Sequence, residues 1–183
     1  MDPHLGRLQQ EIFSAVANIS PEQLQQHRFD KWSISEILEH LYLTYTGTIK
    51  GFGRVIEAGK PLAAVPTWKQ RMHALVVVGF GYLPSGREAP AVARPRGLPS
   101  EQVLSEVGSK ISEMDEIMAR CAANFGSRAK ILDHPILGAL SISQWRKFHL
   151  IHGRHHVKQI QRLRIGIGSS GVKEGSSLCA HRD

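Results

Sequence analysis

The sequence predicts an all-α four-helix bundle. Four long segments carry apolar residues at the three- and four-residue spacing of a helix, three of them open on a serine cap, and no run shows the sustained alternation of a strand. At 183 residues with 42% apolar content, the chain is long enough for one domain with a core of its own.

The first helix is predicted over Pro3 to Ile19, with Leu5, Leu8, Ile12, Ala15 and Val16 on one face. Ser20-Pro21-Glu22-Gln23 then reads as a short capped turn, with proline at the first helical position. The second long helix opens on Ser33 and Glu36, a capping box in which each side chain satisfies an orphan backbone N–H of the other. Its stripe runs through Ile34, Ile37, Leu38, Leu41, Tyr45, Ile49, Phe52 and Ile56, and Gly59 followed by Pro61 stops it. A shorter helix is expected from Trp68 to about Phe80. Within it, Val76-Val77-Val78 is the one strand-like run, too short to change the fold class. Four of the nine prolines lie between Pro84 and Ser100, so a long Pro-rich loop separates the second and third long helices. Loops of that length in a small domain commonly serve as a lid or a structural wrap. The third long helix is expected to be capped by Ser100, to bury Val103, Val107, Ile111, Met114, Ile117, Met118 and Cys121, and to close at Gly126. The fourth follows His134-Pro135-Ile136-Leu137-Gly138, opens on a second capping box formed by Ser141 and Gln144, and runs to about Arg164. Residues 1–165 are thereby assigned to the bundle domain. Residues 166–183, with four Gly and four Ser, are assigned to a disordered tail.

The formal charge of +7 raises the possibility of nucleic-acid binding, but the basic residues are scattered and no aromatic platform accompanies them. Modest groups occur at Arg87/Arg94/Arg96 and Lys158/Arg162/Arg164. Nucleic acid is therefore not the expected partner. No apolar run reaches the roughly 18 residues of a spanning helix, and the N-terminus lacks the pattern of a secretory signal, so no membrane association and a cytoplasmic location are expected. Two cysteines, Cys121 and Cys179, build neither a disulfide framework nor a thiolate zinc site. Any metal must rest on histidines and carboxylates.

There are ten histidines, and their positions matter more than their number. At about 100° per residue, His149, His152 and His156 fall in the centre of the apolar stripe that Ile142, Trp145, Phe148, Ile160 and Leu163 define on the last helix, while His155 sits on its flank. Burying imidazoles costs free energy unless each nitrogen finds a partner. Residues i and i+4 project side by side, so His152 and His156 can offer two nitrogens to one ion. A pair of hydrogen-bonded core histidines satisfies the same pattern equally well. On the second helix His40, one turn after Glu36, lies at the edge of the stripe, where periodicity alone reads it as a half-buried boundary residue.

The segment Trp32-Ser33-Ile34-Ser35-Glu36-Ile37-Leu38-Glu39-His40-Leu41 resembles the W-S-x-x-E-x-L-x-H-L signature of the DinB/YfiT-like superfamily. His134-Pro135 with Gly138 and Leu140, followed by His152 to Ile160, is similar to that superfamily's H-P-x-x-G-x-L and closing H-x-x-x-H-x-x-Q-I. The resemblance implies a four-helix bundle, often a homodimer, whose metal is held by His40, His152 and His156. His149 matches no ligand position and is expected to line the pocket or bond a ligand's outer shell. Gln159 is expected either to orient a ligating ring or to stand as a core-edge amide, and Glu36 is counted with the pocket.

Three neutral nitrogens around a divalent ion, whether zinc, nickel, iron or manganese, leave open positions for water or substrate. The resemblance then implies a metal-dependent transferase, of the kind that uses a small-molecule thiol against an electrophilic substrate, or a hydrolase. On this reading the Pro84 to Ser100 loop covers the pocket and Arg87, Arg94 or Arg96 meets an acidic substrate. The other reading is a non-catalytic, stress-associated metal-binding module in which the ion ties the second helix to the fourth.

Overall fold

The computed structural model describes residues 1–28, 31–84 and 88–170, the last five of these by their backbone only. The described helices are α1 (Pro3–Val16), α2 (Pro21–Gln25), α3 (Ile34–Ala58), α4 (Trp68–Ala74), α5 (Ser100–Phe125) and α6 (Ile142–Ser170), with one hairpin of β1 (Lys130–His134) and β2 (Gly138–Ser141) before the last helix. The four long helices α1, α3, α5 and α6 make the expected bundle, with α3 packed chiefly on α5 and α1 on α6.

Local chemistry sets most of the boundaries. Asp2 caps α1 by accepting from the His4 N–H at 2.9 Å, with Pro3 at the first helical position. The helix ends at Val16, short of Ile19, because Asn18 takes a left-handed conformation at φ 59° that a helix cannot continue through. The boxes Ser33/Glu36 and Ser141/Gln144 form as expected, and Ser20, read as a cap, forms a further box with Gln23. Gly59, at φ 61°, closes α3 by donating to the Ile56 carbonyl. Ser100 is not the cap of α5. Pro99 occupies that position, Ser100 is the first helical residue, and its hydroxyl meets that of Ser35 at 2.9 Å instead.

The expected helix from Trp68 is α4, capped by a Thr67/Gln70 box, and it continues as a wider, π-type turn over Leu75–Gly79. The three valines are therefore wound rather than extended, and Val77 and Val78 are buried. The β-hairpin is an addition to the predicted all-α pattern. Leu132 pairs with Leu140 and His134 with Gly138, whose φ of 68° completes the turn. Pro135 and Gly138 read as mere punctuation in the sequence, and two short apolar strands carry too little periodicity to distinguish them from a helix approach. The last helix continues to Ser170, past Arg164, so residues 166–170, expected to begin a disordered tail, are helical, and the rest of that expected tail, from residue 171, lies outside the described residues. Among the described residues no helix is long and apolar enough to cross a membrane.

The core joins Leu5, Leu8 and Ile12 of α1, Leu38, Leu41 and Phe52 of α3, Ile111 and Met114 of α5 and Ile160 of α6, none more than 1% exposed. Gly153 lets α6 approach α1, since a Cβ there would run into the Leu8 side chain, which has no room to move. Alanine at this position improves helix propensity by about 1 kcal/mol, whereas overpacking costs about 1–3 kcal/mol. Gly153→Ala is therefore expected to lower the midpoint of thermal unfolding, measured by circular dichroism; an unchanged or raised midpoint would show that α1 yields there.

Candidate metal centre

The closest polar convergence in the fold lies between α3 and α6. These helices run antiparallel, so Phe52 faces Trp145, Thr48 faces His149, and His40 faces His152 and His156. His40 Nε2 lies 3.2 Å from His152 Nε2, and His156 Nε2 lies 3.1 Å from the same atom. All three offer a ligand atom within 4.8 Å of one another, so the ring of residue 40, which periodicity placed at a boundary, belongs to the cluster. It is 4% exposed and His156 7%.

The outer nitrogens decide the tautomers. His40 Nδ1–H donates to the Ala93 carbonyl at 2.7 Å, and His156 Nδ1–H donates to Gln159 Oε1 at 2.8 Å. Each ring therefore turns an unprotonated Nε2 toward the centre. Burial holds all three histidines below the usual imidazole range. It acts with the neighbouring His40 on His156, which is pushed down to about 3 despite the opposing Gln159 bond, and with His156 and His40 on His152. Near neutral pH the trio is uncharged. A single proton on His152 Nε2 can bridge to one neighbour but leaves the other contact as lone pair against lone pair, and His152 Nδ1 is buried without a partner. Nitrogens around a tetrahedral ion sit about 3.3 Å apart at the usual bond length, close to the two measured separations. The residues present fit a divalent cation.

Gln159 is placed as an orienting amide, bonded to His156 through Oε1 and to His155 through Nε2 at 3.1 Å. His149 bonds no ligand histidine. Its Nε2–H donates to the Thr48 hydroxyl, which itself donates to the Thr44 carbonyl, and Trp145 stacks on its ring at 5.7 Å. Burial pushes it down to about 3, so it stays a neutral core ring. Glu36 lines the same cavity, but its carboxylate is engaged by the Ser33 N–H at 2.7 Å. Arg94 pairs with Glu88 at 2.6 Å, the Arg96 guanidinium bonds the Val92 carbonyl, and Arg87 lies outside the described residues.

Sequence reasoning missed Glu39. This carboxylate is 1% exposed and accepts the backbone N–H groups of Arg96, Gly97 and Leu98 at 2.6, 3.1 and 3.2 Å. It thereby pins the segment after Pro90 along α3, where the turn Ala91–Ala93 presents the carbonyl that fixes His40. Position 39 is off the apolar stripe and looks solvated in the sequence, because the covering segment comes from more than fifty residues away. His134 was also unassigned. Its Nδ1 accepts from the Ile136 and Leu137 N–H groups, so the ring is a neutral Nε2–H donor on the cavity wall.

The fold is that of a four-helix bundle protein, and the solved structure of YfiT from Bacillus subtilis is similar to it. That structure, titled a probable metal-dependent hydrolase with an unusual four-helix bundle topology, superposes with a TM-score of 0.59 over 90% of this chain and 84% of its own, at 13% identity. At that identity the likeness is one of fold. The profile of the family described as "Protein of unknown function (DUF1569)" matches residues 7–163, and the chain belongs to that family. No curated protein matches the sequence.

Glu39→Ala frees the strap and leaves three backbone donors without their acceptor. Losing the group that orients a ligating ring typically weakens metal binding about 10–100-fold, and a loss up to that range is expected for this variant in competition titrations with a chelator. Affinity equal to wild type would show that the Ala93 carbonyl is held by other means. His134 gives a pH effect of defined sign. Burial lowers it to about 4, and protonation at Nδ1 would also break both turn bonds. Above pH 6.5 the folded and unfolded chains hold the ring equally neutral. Between pH 6.5 and about 4 the unfolded chain binds the extra proton, so this contribution to stability is lost as pH falls. His134→Asn, which keeps an acceptor near the Nδ1 position, is expected to reduce the slope of unfolding free energy against pH in that window by about one proton; an unchanged slope would exclude the assignment.

Proposed function

We propose that the protein is a metal-dependent enzyme acting on a small molecule, a hydrolase or a transferase to a thiol, with a divalent ion on His40, His152 and His156. The observation that carries this reading is the position of the triad: all three rings line a cavity of about 1490 Å³ instead of being sealed in the core. An ion that only tied α3 to α6 would need no such access. A divalent ion held by His40, His152 and His156 would supply Lewis acidity and lower the pKa of a water or a thiol toward neutrality. The chain's own groups supply orientation. Ala93 and Gln159 hold two of the rings in the ligating tautomer, Phe148 stacks on the third at 5.5 Å, and His134 presents a neutral N–H on the same wall. Trp145, Phe148, Val76 and Val77 shed water from the floor and sides. The fold likeness to YfiT, a probable metal-dependent hydrolase, supports the hydrolase form, and the motif resemblance supports the thiol transferase form.

Elemental analysis of untagged protein is expected to find a divalent metal near stoichiometry in the wild type and little in His152→Ala. A p-nitrophenyl ester, and an electrophilic dinitrobenzene with a small thiol, then separate hydrolysis from transfer. Metal-dependent turnover of either, lost in His152→Ala, supports the reading. Stoichiometric metal that raises thermal stability without turnover of any substrate class would replace it with a structural role.

A further inference from the structure

We propose that the end of the cavity beside the start of α3 is a subsite for an anionic group, a carboxylate or phosphate, on a substrate whose apolar body lies along the cavity wall. Arg28, Lys31 and Arg162 are its cationic side chains. This inference rests on the enzymatic reading above and specifies its substrate class.

The antiparallel register of α3 and α6 places the groups. His40 faces His152 and His156, so residues before α3 come to the same end as those after His156. Arg28 and Lys31 are joined there by a short backbone bridge, with the Lys31 N–H on the Arg28 carbonyl at 3.2 Å. Arg162 follows His156 by six residues, about 9 Å along a helix. All three line the cavity that holds the triad.

Among the described residues lining this cavity, cationic side chains outnumber carboxylates. Its carboxylates are each committed to the chain's own groups: Glu36 to the Ser33 N–H, Glu88 to Arg94, and Asp133 to the Ala64 N–H at 3.1 Å. Among the described residues neither Lys31 nor Arg162 pairs with a carboxylate. Positive charge at the mouth of an apolar-walled cleft focuses potential into it and favours an anion over a neutral analogue of the same shape. Of the loop arginines expected in this role, Arg94 pairs with Glu88 and Arg96 bonds the Val92 carbonyl, which favours the helix ends over these two for the anion contact.

The test uses matched probes, hexyl phosphate, hexanoate and hexanol, titrated calorimetrically into metal-free and cobalt-loaded full-length protein at low salt. Wild type is expected to prefer at least one anion over hexanol by about tenfold or more in both forms, the two anions showing whether carboxylate or phosphate fits better. Lys31→Gln with Arg162→Gln is expected to reduce that preference at least fivefold, leaving cobalt affinity and the unfolding midpoint unchanged. Equal binding of anion and alcohol overturns the subsite. A preference that survives the double variant but vanishes on metal removal also overturns it, since the anion would then sit on the ion. A protein that binds no cobalt sinks the metal-dependent reading instead, while the metal-free titrations still report on the subsite.

Discussion

The constraint on which the structure depends is the meeting of three uncharged imidazole nitrogens in a space where protons cannot satisfy them all. Two tautomers are fixed from outside, by the Ala93 carbonyl and the Gln159 amide, so two lone pairs must face the third ring. In a low-dielectric interior unshared lone pairs are costly, and a divalent cation would serve all three at once. Cap placement, strap and register can each be read as serving that meeting point.

The strap shows how distant segments cooperate in it. Glu39 and His40 are neighbours in sequence yet do opposite jobs: one accepts three backbone N–H groups from the covering segment, and the other donates to it. Three backbone N–H groups satisfy the buried carboxylate. It also fixes the height of the carbonyl on which the ligand ring is set. On the other side, Gly153 brings α6 close to α1 at the level of the ligating turn, and Arg154 forks onto Glu11 at 2.6 Å from the outer face. The ligand helix is thus positioned from both flanks.

The motif resemblance and the fold likeness to YfiT agree on the bundle, and the match across residues 7–163 places the chain in a family whose description assigns no activity. What distinguishes one chemistry from another therefore lies in the cavity rather than in the bundle, as it does wherever a common fold carries a grafted site. Here the cavity combines apolar lining residues such as Trp145 and Phe148 with a neutral donor at His134.

The sequence by itself determined the helices whose signals are local. Ser33 with Glu36, Ser141 with Gln144, Gly59 and Gly126 set boundaries within a few residues, and the i,i+4 pair His152/His156 set two nitrogens on one face. It left open whether those rings were ligands, and periodicity alone put His40 at a boundary; only the motif resemblance joined the three. Tertiary structure decided what depends on contacts between distant segments: the register that brings His40 to His152, the strap that buries Glu39, the hairpin that fixes the His134 tautomer, and the engagement of Arg94 and Arg96 away from the role the sequence gave them. Hydrogen-bond partners a hundred residues apart leave no trace in local spacing, whereas caps and helical stripes are written within a single turn.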